Sequence, residues 1–294
     1  MSGNAVIGIG GPKCGTTTLA NLLMQDDRLF WPKNFSNKEI NYFTKRYGNS
    51  ERGLDWYFSH FPNKEANDYL CEISPSYFSD PNSPELIKRQ LPDAKLVAIL
   101  RDPVKRAFSS FQHEKRACRI PSSASFEDMI MQPDNKYYLD SCYHQHLKRY
   151  FDMFDRTQIH VIFLEELLQN NLQELTKLYK FLGLSHTNLD NVRMEQSNEA
   201  WQPKSYSMEY LLRNGSRLTK KLGLRRVMER VRKAGLDSFI RNVNSRPSEK
   251  LDVNIYDRIF PEFDLMNKEL KQLLGRQDLP WQNSRKTTDL KARS

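Results

Sequence analysis

Ala5-Val-Ile-Gly-Ile-Gly-Gly-Pro-Lys13-Cys-Gly15-Thr16-Thr17-Thr18-Leu19 reads as a short apolar strand, a glycine-rich loop and the first turn of a helix. The strand is predicted over Val6 to Ile9. Gly10, Gly11 and Gly15 let the backbone turn with positive φ, so that successive N–H groups can point inward. Thr16 and Thr17 then open a helix whose N-terminal N–H groups and dipole favour an anion. The stretch reads as a phosphate cradle made of Pro12, Lys13, Cys14, Gly15, Thr16, Thr17 and Thr18, the alternative being a glycine-rich turn that only closes the strand against the helix. In the nucleotide-triphosphatase loop the lysine directly follows the last glycine, whereas here Thr16 follows Gly15 and the lysine stands two positions before it. That displacement argues for a bound group other than an ordinary ATP triphosphate.

Further strands are expected at 69–72, 95–100 and 158–163, with helices near 83–91, 103–118, 141–154 and 171–183. The alternation predicts an α/β fold: a P-loop-type parallel sheet flanked by helices on both faces, with ligand at the C-terminal strand ends and a mainly helical C-terminal part. Residues 1–282 read as one domain, with 213–247 as a basic helical subregion and 283–294 as a basic flexible tail. The chain has 294 residues, 38% of them hydrophobic, enough for a sizeable core. It contains no apolar run of membrane-spanning length and no secretory leader pattern. Four cysteines, at 14, 71, 118 and 142, lack metal-ligand spacing and suit a reducing compartment. A cytoplasmic protein without a metal site is the expectation.

The strand at 95–100 ends in Arg101-Asp102-Pro103. Pro103 suits the first turn of a helix that carries Ser109 two turns along. Arg101 can present a planar fork to a phosphate monoester and Ser109 a hydroxyl on the same side. Read alone, the triplet is equally a helix start capped by Asp102.

Taken together, these segments resemble the sulfotransferases that use 3′-phosphoadenosine 5′-phosphosulfate. The resemblance runs over most of the chain. Gly-Pro-Lys13-Cys-Gly15-Thr16-Thr17 is similar to their 5′-phosphosulfate loop, and Arg101 with Ser109 to their 3′-phosphate site. Asn37-Lys38-Glu39-Ile-Asn41-Tyr42-Phe43 resembles the segment bearing the catalytic base in the heparan sulfate branch. Further likenesses are Gly53-Leu-Asp-Trp56-Tyr57, Glu72-Ile-Ser-Pro75-Ser-Tyr77-Phe78 and Tyr143-His-Gln-His-Leu147. Leu274-Gly275-Arg-Gln-Asp-Leu-Pro-Trp281 and the Asn198 to Ser205 stretch look like segments of bacterial members. The resemblance implies in-line sulfuryl transfer to a hydroxyl, or an amine, of a carbohydrate or polar small molecule, leaving 3′-phosphoadenosine 5′-phosphate. In that reading Glu39 takes the acceptor proton and Lys13 donates to the bridging oxygen. Lys204 and Ser205 close over the nucleotide phosphates, though Pro203 also reads as a plain helix start. Acceptor contacts are expected from Lys38, Asn41, Tyr42, Tyr77, Phe78, His113 and Tyr143, whose aromatic members are equally placed for the core. Two positions depart from the glycosaminoglycan enzymes: Ile73 stands where they commonly carry a lysine, and Asn41 replaces a histidine.

Arg213 to Lys233 holds nine Lys or Arg residues and one acid, almost the whole net charge of +9. It could attract an anionic acceptor, steer the donor, meet an acidic membrane surface or form a solvated helix face. With no aromatic platform interleaved, nucleic acid is the less suitable partner. A P-loop kinase, or a noncatalytic nucleotide- or glycan-binding module, would use the same strand, loop and helix. The kinase, however, needs a lysine after Gly15 and an aspartate ending an apolar strand, where Arg101 stands.

Overall fold

A computed structural model describes residues 4–33, 38–61, 69–132, 134–185, 201–210 and 243–282. The basic segment 213–233, Asn198 and the tail from 283 lie outside the described residues.

Apolar runs of four to six residues form the interior strands because both of their faces are covered. Strand β1 (Ala5–Gly8) is buried throughout, and so are β3 (Tyr69–Ile73) and β4 (Lys95–Leu100) beyond their first residues. With β2 (Leu29–Phe30) and β5 (Ile159–Phe163) they make a parallel five-stranded sheet in the order β2-β3-β1-β4-β5. Helices flank it, as the alternation predicts. The strands expected at 69–72 and 158–163 are Tyr69–Ile73 and Ile159–Phe163. The corresponding helices are Ser83–Gln90, Pro103–Arg116, Tyr143–Phe151 and Asn171–Leu182. The C-terminal part is helical at Val253–Ile259 and Asp264–Leu274.

This order fixes where a ligand can sit. From β1 the chain moves to β2 at one edge and returns through β3, and from β4 it moves to β5 on the other side, so the connections leaving the tips of β1 and β4 diverge. A crevice opens there, at the topological switch point. The cradle follows β1 and Arg101 follows β4.

A second, antiparallel pair, β6 (Trp201–Pro203) and β7 (Ser245–Pro247), was not expected from the sequence. The Pro103–Arg116 helix holds it: Arg116 donates to the Trp201 carbonyl at 3.1 Å and lies over the indole ring, while Gln112 bonds Gln202. Trp281 is fully buried near the C-terminal end of the described chain, edge-on to Phe163 and Tyr143.

Gly10 is kept by space rather than by a positive φ, since a Cβ there would sit 2.5 Å from Ile99 Cγ2, and of Gly10, Gly11 and Gly15 only Gly15 turns with the positive φ expected of all three. The φ of Gly15 is 91°, and a Cβ there would sit 2.6 Å from Leu164 Cδ1. Gly48 has a φ of 68° but no atom within 4 Å of that point. Gly15→Ala is therefore expected to cost about 2–4 kcal/mol, the left-handed penalty plus overpacking, and Gly48→Ala only about 1 kcal/mol. Urea unfolding of the two variants measures the difference.

Candidate functional site

The cradle is built from the end of β1. Ile9 N–H donates to the Val97 carbonyl and Gly11 N–H to that of Ile99, so the loop leaves the sheet in fixed register with β4. Lys13 has a φ of 69° and Gly15 one of 91°. A lysine in the left-handed region costs about 1–2 kcal/mol, and such strain is concentrated at functional sites. The Thr16–Leu23 helix begins immediately after Gly15. Arg101 Nη1 donates to the Lys13 carbonyl at 3.3 Å, tying the loop to the tip of β4. Asp102 caps the Pro103–Arg116 helix by accepting from the N–H groups of Val104 and Lys105, as its position before Pro103 suggests.

A cleft of about 610 Å³ opens over these elements. Pro12, Lys13, Gly15, Thr16, Thr17, Thr18, Lys38, Glu39, Asn41, Arg101, Ser109 and His113 all line it, although they are drawn from three separate stretches of chain. Its outer wall adds Arg46, Tyr47, Arg119 and Lys136, none of which the sequence reading had singled out. A second cavity of about 1120 Å³ shares Lys13, Arg101 and Ser109 and extends to Arg116, Trp201 and the Pro247–Leu251 stretch.

Positive charge gathers around Lys13. Burial, then the neighbouring Arg116 guanidinium, pushes its ammonium down to about 8. His113 is driven to about 4, first by burial and then by Lys13, so at neutral pH it is an uncharged imidazole. Lys38 Nζ bonds Glu39 Oε1 at 2.7 Å and lies 3.4 Å from Thr16 Oγ1. Glu39 thus has the ion-pair partner its sequence neighbour offers, but the pair lines the same cleft as Lys13.

Several expected contacts are corrected. Tyr42, Tyr77 and Phe78 are wholly buried and Tyr143 is 2% exposed, so they belong to the core and are not acceptor contacts. Tyr77 uses its hydroxyl on the backbone of Tyr42 and Phe43, and Tyr143 donates to the Arg101 carbonyl at 2.8 Å. Cys14 is also fully buried: its thiol lies 3.6 Å from the Tyr143 hydroxyl, and burial raises it to about 11. It fills space beneath the cradle as a neutral thiol. Lys204 and Ser205 line neither cavity. Lys204 Nζ donates to the Val243 carbonyl, and Ser205 N–H to Asn244 Oδ1, so both are used to hold the residues after β6 against those before β7.

A parallel sheet with an anion cradle and a second cationic arm at its switch point defines a nucleotide- or anion-using α/β enzyme class. The family model described as "Sulfotransferase domain" matches residues 4–256, and the chain belongs to that family. It is 30% identical over 195 residues to the mouse bifunctional heparan sulfate N-deacetylase/N-sulfotransferase 3, covering 60% of this chain and 22% of the relative. The Drosophila melanogaster bifunctional heparan sulfate N-deacetylase/N-sulfotransferase is 30% identical over 204 residues, 60% of this chain and 19% of the relative. The match therefore spans only about a fifth of each of these relatives. A sulfotransferase structure from Alicyclobacillus acidocaldarius superposes with a TM-score of 0.63 at 23% identity, over 94% of this chain and 96% of that one, which shows a shared fold.

Because the Lys13 ammonium is pushed down to about 8, anion binding well above that pH includes uptake of a proton, and about one pH unit below it almost none. The affinity for 3′-phosphoadenosine 5′-phosphate, followed by calorimetry, should be nearly flat below about pH 7, bend near pH 8 and fall by up to about tenfold per pH unit above it. Lys13→Met should abolish that slope.

Proposed function

We propose that the chain transfers a sulfuryl group from 3′-phosphoadenosine 5′-phosphosulfate to a hydroxyl or amine of a carbohydrate or polar small molecule. The observation that carries the reading is the convergence of Lys13, Thr16, Thr17, Arg101, Ser109 and Glu39 on one cleft. The residues present fit such a donor. A cradle that lines the first cavity and an arginine–serine arm that lines both suit two phosphates, and a half-buried lysine with depressed basicity calls for an anionic neighbour.

The donor supplies a sulfuryl group on a phosphate leaving group. Thr16, Thr17 and the loop N–H groups hold the 5′-phosphate, and Arg101 with Ser109 the 3′-phosphate. Glu39 accepts the acceptor's proton as its oxygen or nitrogen bonds to sulfur. The S–O bond to phosphate breaks, and Lys13 stabilises the charge that appears on the departing oxygen. Asn41, Lys38 and neutral His113 remain the acceptor-facing polar groups. The named activity of the heparan sulfate N-sulfotransferase relatives supports the amine acceptor. Among the described residues no helix is long and apolar enough to cross a membrane. A cytoplasmic setting is our reading, supported by the four cysteines, each free of a disulfide.

Glu39→Gln is expected to bind 3′-phosphoadenosine 5′-phosphate as the parent does but to lose turnover by about 10² or more. Lys13→Ala should likewise lose mainly turnover, since its interaction grows in the transition state. Donor consumption with a panel of glycans, alcohols and amines measures both, and full activity of either variant removes its assignment. Preferential calorimetric binding of ATP with magnesium would favour the kinase reading instead.

A further inference from the structure

The segment that presents Glu39 has an unusual anchorage. From Ile40 to Phe43 it belongs to no helix or strand, yet Ile40, Tyr42 and Phe43 are fully buried. Buried N–H groups must find acceptors. Each of the four consecutive amides does so on a side chain from the end of β3 and the turn after it. Ile40 N–H donates to Glu72 Oε2 at 3.2 Å and Asn41 N–H to Ser74 Oγ at 3.0 Å. Tyr42 and Phe43 N–H both donate to the Tyr77 hydroxyl, at 2.8 and 3.2 Å.

The two hydroxyls then pass their own protons on to one carboxylate. Ser74 Oγ donates to Glu72 Oε2 at 2.6 Å and Tyr77 OH to Glu72 Oε1 at 2.8 Å. Glu72, Ser74 and Tyr77 are each fully buried. Every donor in the cluster therefore ends on Glu72, and only an ionised carboxylate, which accepts at both oxygens and donates at neither, completes it. Burial works against that state and lifts Glu72 to about 7. The arrangement thus keeps a costly buried charge, and what it secures is the backbone beside Glu39.

We propose that Glu72 is a positioning residue for the reaction: its carboxylate, acting directly and through Ser74 and Tyr77, fixes the Ile40–Phe43 backbone and so holds Glu39 in place over the cleft. This rests on the reading of Glu39 as the general base. The isosteric change Glu72→Gln turns one acceptor into an N–H donor. If that N–H faces Tyr77, whose hydroxyl already accepts twice, the hydroxyl proton is left without an acceptor. A displacement of about 1 Å in a reacting group can lower turnover by about 10².

The test uses the full chain with Glu72→Gln and, separately, Tyr77→Phe. Hydrogen exchange read by mass spectrometry should show the Ile40–Phe43 amides exchanging at least about tenfold faster while β1 and β4 keep their protection. Turnover should fall by about 10- to 100-fold, with affinity for 3′-phosphoadenosine 5′-phosphate changed by less than about twofold. Parent-like exchange and turnover in both variants would overturn the proposal. So would a turnover loss matched by equal losses of nucleotide affinity and of protection across the sheet, the mark of a purely structural role. Should either variant fail to fold, Ser74→Ala removes one donor and leaves the carboxylate, and the same readouts decide. If instead Glu39→Gln retains parent activity, the base assignment fails, while the exchange data still report whether Glu72 anchors the segment.

Discussion

Positive charge around Lys13 is the constraint to which the rest of the site answers. Its ammonium is half-buried at the tip of the sheet with Arg116, Arg101 and Lys38 close enough to lower its proton affinity and Glu114 opposing them. A cluster of this kind costs free energy in the empty protein and is relieved by an anion. Glu114 is itself engaged by Arg119 and Lys136, at 2.8 Å each, so much of its charge is already committed. The fold bears that cost with rigid support on each side: β1 and β4 lie side by side in the sheet, and Arg101 is bonded both to the loop and, through its carbonyl, to Tyr143. Trp281 packs against that tyrosine, which links a late segment of the chain to the placement of the arginine.

A second requirement concerns the backbone opposite. The chain reaches the cleft at Lys38 and Glu39 without a regular element to satisfy its amides, so polar side chains do what a strand neighbour would have done. Ile73 N–H donates to the Lys38 carbonyl, extending β3 by one bond towards the segment, and Ser76 Oγ bonds the Asn41 side chain at 2.6 Å. The glutamate, serine and tyrosine of Glu72-Ile-Ser-Pro-Ser-Tyr77 are thus explained by where their hydrogen bonds go. Ile73, standing where related enzymes commonly carry a lysine, is 1% exposed and is used for the core.

Local signals were legible in the sequence and tertiary ones were not. Glycine spacing and an apolar run sufficed to place the cradle, because strand, turn and helix there are consecutive; Asp102 before Pro103 likewise marked a true helix cap. Arg101 and Ser109 could be paired through helical periodicity. The aromatic residues near Glu39 could not be assigned, because whether Tyr77 faces solvent or core depends on the partner of its hydroxyl, supplied by a segment 35 residues away. The β6–β7 pair was missed for a related reason: two three-residue strands ending in proline carry almost no periodic signal, and what orders them is contact with Arg116 and Gln112. Arg46, Arg119 and Lys136 read as ordinary surface cations until the fold turns them towards one cleft.

The two cavities meeting at Lys13, Arg101 and Ser109 explain why the lysine stands before the last glycine. A lysine directly after Gly15 would occupy the position of Thr16, the first residue of the helix. Placed two residues earlier, in the left-handed turn, it instead lines both cavities, one of them together with the Lys38–Glu39 pair. A cation at that boundary is suited to charge that appears on an atom between a phosphate-holding loop and an attacking group. Under the proposed transfer, the strain at Lys13 and the loss of a helix-borne lysine follow from one requirement, that the cation act on the bond being broken rather than on a terminal phosphate.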